Sequence, residues 1–452
     1  MKRTAVSSYR LHFVDLIFDF SGFRTLSFLL LVLIVNHQSI FAQASSPYSR
    51  YGLGYVRSTV FSANKGMGEL AAPYYSATNI NYTNPASYAS LTRTTVEIGA
   101  NFDGVSIIKD STYKASTGSI SHFAIAFVPN PKKNNYAISI GLLPYTNINY
   151  TFIQNFNDSS IGAHREIFSG TGSLYQVYAG GAYKVKGFSV GANLGFLFGK
   201  LDYQKTIAFP DSIGAYGTRN ITTLNVKSFM YNVGVQYQYR IFHNDDDPDT
   251  RSDIFATVGL YGSGGIKMNA KLSNSWERYE YNPTYGLIPV DTAQATYNQK
   301  TKINLPFNLG AGVMFGNERF WMIGTDFKFM NWKSFTSPLN NAGLNDSWRL
   351  SFGFQITPKY DELDKKKYLS RVQYRFGGYY GKSEVNIDGK ALEQAGGTIG
   401  LGFPFKSLGR LNITGDFGTR GGNIAGGFRE TYYKITFGFV LNDIWFIKRK
   451  FD

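Results

Sequence analysis

A chain of 452 residues without a cysteine has no thiol nucleophile, no disulfide and no thiolate metal site. Its 37 Phe, 32 Tyr and 48 Gly suit many strands that are apolar on one face and small or polar on the other. The net charge of +15 does not point to nucleic acid, because Lys and Arg are scattered singly rather than gathered in a run or on one helix face. Lys2, Arg3, Arg10 and Arg24 against Asp15 and Asp19 account for little of it, and acidic lipid headgroups or lumenal carboxylates are the expected counter-charges for the rest.

The first element in chain order is an export signal. From Arg24 the chain reads Arg-Thr-Leu-Ser-Phe-Leu-Leu-Leu-Val-Leu-Ile-Val, then a small polar stretch and Ile-Phe-Ala-Gln-Ala. An apolar run of about ten residues is too short for a bilayer core of ~30 Å but suits a signal-peptide core. Cleavage is expected after Ala42 or Ala44, so residues 1–42 are assigned to the signal. The stretch before Arg24 is longer and more acidic than a usual signal start, which places the true initiation site downstream as an alternative. No other apolar run is long enough for a membrane helix, so a mature chain in a membrane must cross it as a closed barrel.

Residues 43–93 do not alternate. They are rich in Gly and turn formers, reading Ser-Pro-Tyr-Ser-Arg-Tyr-Gly-Leu-Gly at 46–54, Gly-Met-Gly at 66–68 and Asn-Pro-Ala at 84–86. This segment is expected to be a hatch or plug in the lumen; disorder, or a cap over the periplasmic mouth, are the alternatives.

From Thr94 onward alternation dominates. Phe188, Val190, Ala192, Leu194, Phe196 and Phe198 share one parity against Ser189, Gly191, Asn193, Gly195 and Gly199, with Leu197 the exception. The split recurs at Trp348, Leu350, Phe352, Phe354 and Ile356, and at Leu411, Ile413 and Phe417. A soluble sandwich also alternates, but its polar face meets water and is rich in Lys, Glu and Thr. Here that face is Gly, Ser, Asn and isolated charges of both signs, as expected inside a closed lumen. The pattern predicts an all-β, transmembrane antiparallel β-barrel over 94–452. Its strands, about 14 and so even in number, fall at 94–108, 114–129, 134–153, 165–184, 187–206, 219–241, 252–274, 295–316, 319–334, 346–358, 368–386, 393–405, 409–419 and 428–446. Long polar connections are expected after the odd-numbered strands from the third onward. Trp321, Trp348, Tyr379 and Trp445 read as interface girdles.

No catalytic or metal constellation stands out, and neither enzyme activity nor a cofactor is expected. The histidines lack metal-ligand spacing. His122, beside Ser121 on the lumen parity, is the one arrangement a hydrolase could use, against an ordinary polar role. Asp245, Asp246, Asp247 and Asp249 lack the Gly and distal Glu of a calcium loop and read as a solvated turn. Glycines at 262, 264 and 265 read as a strand bend. On the lumen parity lie Glu97, Asp103, Asp326, Lys328, Arg349, Arg371, Arg375, Arg410 and Asp416; they either line a permeation path or form an internal ion-pair network that holds the hatch.

Gly66, Gly68, Asn84, Pro85 and Ala86, with the barrel behind them, resemble the FadL family of long-chain fatty acid transporters. The resemblance implies a lumenal hatch at those residues, hydrophobic small-molecule ligands and release through a strand kink, in the outer membrane of a two-membrane bacterium. The wider superfamily also holds secretion-system barrels such as PorV. Two readings follow: passive uptake of hydrophobic compounds such as long-chain fatty acids, or a non-transporting accessory barrel of a secretion or outer-membrane assembly complex. The expected partners are outer-membrane lipid and, during biogenesis, the barrel-assembly machinery.

Overall fold

A computed structural model describes residues 46–445, apart from 109–111, 131, 132, 134, 161, 210–214, 244–252, 283–285, 340–342, 360–364, 388, 406–408, 423, 425 and 426. The expected export signal, the acidic run 245–249 and the basic residues Lys448, Arg449 and Lys450 therefore lie outside the described residues.

Seventeen strands form one antiparallel sheet. A two-residue strand, β1 (Tyr55–Val56), belongs to the N-terminal segment. The wall comprises β2 (Thr94–Ile108), β3 (Thr112–Phe127), β4 (Tyr136–Asp158), β5 (Gly162–Val185), β6 (Phe188–Ala208), β7 (Gly217–Phe242), β8 (Ile254–Ser263), β9 (Ile266–Asn282), β10 (Gly286–Leu305), β11 (Asn308–Asn317), β12 (Trp321–Met330), β13 (Ser347–Ile356), β14 (Gln373–Ile387), β15 (Lys390–Phe405), β16 (Gly409–Gly421) and β17 (Arg429–Asp443). β17 pairs with β2 along its whole length, from Arg429↔Ile108 to Asp443↔Thr94, which closes the sheet. β8 and β9 are one wall strand broken at Gly264–Gly265, and β10 and β11 one strand broken at Pro306–Phe307. The hairpin keeps its register across both breaks, from Leu305↔Ile266 to Asn308↔Ser263. Sixteen wall segments thus make 14 spanning strands, and the glycine pair read as a bend is one.

The alternation becomes two faces of the wall. Leu194 and Phe229 are 70% and 77% exposed, whereas Asn193 and Gln176, on the opposite parity, are each 1% exposed. A closed sheet with an apolar band outside and polar residues inside leaves no edge and satisfies its backbone internally; it is a transmembrane barrel. Leu197 breaks the sequence pattern because it points inward. With Leu53, Leu174, Leu201, Leu224, Met268 and Ile303 it builds a close-packed apolar cluster in the lumen.

Three expectations need correction. Segments around 154–164, 275–294 and 387–392, expected as long connections, are largely strand: β4 pairs with β5 out to Asp158↔Gly162, and β9 with β10 out to Asn282↔Gly286. In β4 beyond Ile153 the outward residues Asn155 and Asn157 are polar and their neighbours are exposed as well, so no apolar alternation marks that stretch. Tyr379 is not a girdle residue; it is 7% exposed and faces the lumen. Arg371 sits in a short 3₁₀ turn, Lys365–Arg371, before β14 rather than in a strand.

The wall is uneven at one place. β3 and β4 pair only from Phe123↔Leu142 to Phe127↔Ile138, after which β4 bulges at Tyr145 and the two strands part. The freed edge of β4 accepts β1 instead, through Tyr55↔Asn147 and Val56↔Thr146, and Arg57 N donates to Tyr145 O at 2.9 Å.

Candidate functional site

Among the described residues, buried polar side chains concentrate in the lumen and in the segment within it, residues 46–93. The segment has almost no regular structure of its own: 3₁₀ turns at Pro47–Arg50 and Pro85–Ser90, β1, and a single helical turn at Ser62–Lys65. Its backbone groups must therefore find partners elsewhere, and the wall supplies them. Asp326 accepts from the Ala71 and Ala72 amides at 2.9 and 2.5 Å, and Gln236 donates to Ala72 O and Tyr74 O. Asn193 and Asn232 donate to the carbonyls of Tyr82 and Thr83. Thr414 donates to Ser62 O, and Thr398 donates to Gly66 O while accepting from Gly68 N at 2.9 Å. Strands from opposite sides of the barrel thus hold one irregular loop.

The motif residues sit at the tightest of these contacts. Gly68 has φ +68° and packs against the carbonyls of Phe352 and Gly378, so a side chain there is excluded twice over. Asn84 caps the Pro85–Ser90 turn by accepting from Ala86 N at 3.2 Å, and its amide donates to Ala72 O at 2.7 Å. The wall makes room by omitting side chains. A Cβ on Gly191 would overlap Pro85 and Ala86, one on Gly234 would overlap Asn84, one on Gly259 Ala72, one on Gly353 Met67, and one on Gly377 Gly68. The lumenal glycines that made the inner face look merely small are the sockets for this segment.

The inward charges divide into three groups. Glu97, fully buried, accepts from Ser62 Oγ at 3.2 Å and from the Ile80 amide at 3.3 Å. His122 lies 3.3 Å from the same carboxylate, accepts or donates at Nδ1 with Ser121 Oγ at 2.8 Å, and stacks on Phe61 at 3.8 Å. The Ser121–His122 pair is thus enclosed beneath the N-terminal segment, in a structural contact. Arg375 is fully buried and hydrogen-bonds Gln355, Asn412 and Gln373, while Arg410 lies beside it with Nη1 unbonded. Arg371 lies outside the lumen strands, its guanidinium 5.3 Å from the Tyr368 ring.

The third group surrounds a chamber of about 140 Å³ between the segment and β12–β17, lined by charged, aromatic and aliphatic side chains. Arg57 pairs with Asp103, Arg349 with Glu69 at 2.9 Å, Arg420 with Glu430 at 3.8 Å and Lys434 with Asp416 at 4.0 Å. Tyr379 donates to Asp416 at 2.6 Å and lies under Arg349, whose Cζ is 3.6 Å from its ring centre. Tyr55 receives hydrogen bonds from Arg420 and Lys434. Burial opposes ionisation of that phenol, but the two cations outweigh it and bring its pKa down to about 8. Burial likewise works against the Glu69 carboxylate, yet Arg349, Lys434 and Lys65 hold its pKa below the ordinary value.

Sequence reading missed Arg57, Lys65, Glu69, Arg420, Glu430 and Lys434. The last three had a usable signal, since they share lumen parity and lie opposite partners in the final hairpins, Arg420↔Glu430 and Asp416↔Lys434. The first three come from a segment with no periodicity to read.

The fold and this interior define a class: a 14-stranded transmembrane barrel whose lumen is occupied by its own N-terminal segment. The BamG family model matches residues 24–452, and the chain belongs to that family. Among solved structures it is similar to a Pseudomonas aeruginosa FadL homologue, with a TM-score of 0.56 at 12% identity over 86% of this chain and 99% of that one. It is similar too to the P. putida toluene transporter TodX, at 0.54 and 12% over 85% and 99%. The Ralstonia pickettii toluene transporter TbuX gives 0.50 and 11% over 85% and 98%. These likenesses establish the FadL-like fold. No curated protein matches the sequence.

Proposed function

We propose that this protein is a non-conducting accessory barrel of outer-membrane protein assembly, exported to the outer membrane of a two-membrane bacterium. The observation that carries the reading is the N-terminal segment, which is bonded to most strands of the wall and leaves a lumen chamber ringed by ion pairs. The apolar lumen residues around Leu197 and Leu224 pack on one another and on Leu53. Membership of a family named for the Bam proteins supports the same reading. On this view the segment acts as a hatch that locks the barrel into a rigid body, and the tall β4–β7, β9 and β10 sheet beyond the lipid band offers a surface to partners. The test is depletion of the protein in its native host, followed by quantification of folded, heat-modifiable outer-membrane barrels. A fall across unrelated barrels is expected; unchanged barrel levels together with loss of hydrophobic-compound uptake would overturn it.

Uptake of hydrophobic small molecules, long-chain fatty acids among them, is the second reading. The parting of β3 from β4 favours it, because a wall gap beside a kinked strand is the exit such a route needs. Cellular accumulation of radiolabelled oleate or toluene, with and without the gene, separates the two.

A further inference from the structure

Lysines that stand singly along the sequence are gathered on the outer face of the barrel. Lys200 of β6 lies opposite Asn225 of β7, Asn225 opposite Lys271 of β9, and Lys271 opposite Lys300 of β10, so one register row crosses four strands. Lys302 follows two residues along β10, opposite Asn269, and Lys267 lies two residues from Asn269 on β9. Lys227 lies two residues from Asn225 on β7, opposite Phe198. The residues that alternate with them, Leu201, Leu224, Val226, Met268, Ala270 and Ile303, are buried in the lumenal cluster, so all six lysines point outward, and all six are exposed. At about 4.8 Å between strands and 3.4 Å between residues they fall within roughly 14 Å each way. Lys200 pairs with Asp202 at 3.0 Å, a carboxylate that also accepts from Thr223; the other five make no ion pair among the described residues. Like charges directly opposite, as Lys271 and Lys300 are, weaken a sheet, and the wall concentrates this charge without supplying its counter-charge. The patch also has a fixed height. It begins directly above the lipid-facing Leu194, Phe196, Phe229 and Tyr231. It lies away from Thr94 and Asp443, where the chain enters and leaves the wall, and from the tight turn at Lys186–Gly187, which mark the periplasmic rim. That is the headgroup level of the outer leaflet.

We propose that these six lysines bind the phosphate-bearing headgroup of an anionic lipid in the outer leaflet, whose acyl chains lie on the aromatic and aliphatic residues below. Ammonium groups are compact charges suited to phosphate oxygens, and a cluster of this size beside an apolar surface favours a headgroup with more than one phosphate. The inference rests on the outer-membrane setting proposed above, and not on whether the barrel assists assembly or admits hydrophobic compounds.

The experiment is native mass spectrometry of the purified mature chain in neutral detergent, titrated with diphosphoryl lipid A, monophosphoryl lipid A or phosphatidylcholine. Wild type is compared with a triple patch variant, Lys271→Gln, Lys300→Gln and Lys302→Gln, and with arginine at the same three positions. A control removes equal charge elsewhere on the surface, by Lys114→Gln, Lys186→Gln and Lys390→Gln. Saturable binding is expected, strongest for diphosphoryl lipid A and weakest for phosphatidylcholine. It should weaken about tenfold or more in the glutamine patch variant and persist in the arginine variant and in the control. Every substituted side chain is exposed, and heat-modifiability checks that each variant folds. Equal binding by the patch variant, equal loss in the control, or no preference over phosphatidylcholine overturns the proposal. Unchanged lipid binding by the patch variant with loss of an acidic partner protein overturns it too, by assigning the patch to that partner. Density-gradient fractionation of host membranes tests the setting separately: a chain found outside the outer membrane removes the setting, whereas an outer-membrane chain with a lipid-indifferent patch refutes the lipid site alone.

Discussion

Tyr55 shows how much a single side chain reports on its setting. Its folded pKa of about 8 lies below the ordinary value of 10.0, so the fold favours the phenolate. The stabilisation this gives is complete above the unfolded pKa near 10 and is lost as pH falls through 8. A difference absorbance titration of wild type against Tyr55→Phe should therefore show one tyrosinate forming near pH 8, and the wild type should gain stability over the variant between pH 8 and 10. A difference spectrum without a transition below pH 9.5 would mean that Lys434 and Arg420 do not reach the ring as described. The sockets can be tested as simply. Gly353→Ala places a Cβ on Met67, an overpacking expected to cost about 1–3 kcal/mol and to make residues 46–93 more sensitive to protease while the barrel stays heat-modifiable. Protease resistance equal to wild type would show that the segment does not depend on that socket.

At the scale of elements, the parted strands make a distinct prediction. Amides of β3 between Thr112 and Ile120 that do not bond to β2 have no β4 partner, whereas β5 is paired on both sides through Gly170–Val177. Hydrogen–deuterium exchange should find alternate β3 amides in that stretch exchanging fast against protected β5 amides; uniform protection of both would mean that the seam closes. The same elements show what the sequence made readable. β2 was legible to its ends because Val96, Ile98, Ala100 and Phe102 all meet lipid, and the final strand for the same reason. The outer reaches of β9 and β10 were not, since both their faces meet water and three bulges interrupt β10 within Pro289–Gln299. Backbone pairing holds such strands, and it leaves no apolar period. Inward charges followed parity wherever a strand was legible, so Asp326, Lys328 and Arg349 were found from sequence. Glu69, which sits between them, has φ 67° in an irregular loop and was not. Tyr379 was read as an interface residue from its aromatic character, although it shares the parity of Arg375 and so faces inward.

For the whole molecule, closure of the wall and filling of the lumen are separable. The wall closes through β17 and β2 without any contribution from residues 46–93, while those residues occupy the lumen by hydrogen bonds to inward side chains. Removing them takes away the partners of Asp326, Glu97 and Arg349, but it also admits water, which can solvate each freed group at far lower cost than a dry interior would impose. The barrel should therefore survive deletion of 46–91 as a folded, heat-modifiable species, whereas its lumen, too wide at about 14 strands for side chains alone to fill, should open. In planar bilayers the mature chain is expected to show little steady conductance and the deletion variant a stable, ohmic one. Because the deletion removes Arg50, Arg57 and Lys65 along with Glu69, the exposed inner wall sets Lys328, Arg349, Arg375, Arg410, Arg420 and Lys434 against Glu97, Asp103, Asp326, Asp416 and Glu430, and that conductance should discriminate little between anions and cations. A conducting wild type would mean that the segment moves aside readily and would return the balance to transport; a deletion variant that folds but stays closed would place the seal in the apolar cluster around Leu197 and Leu224 instead.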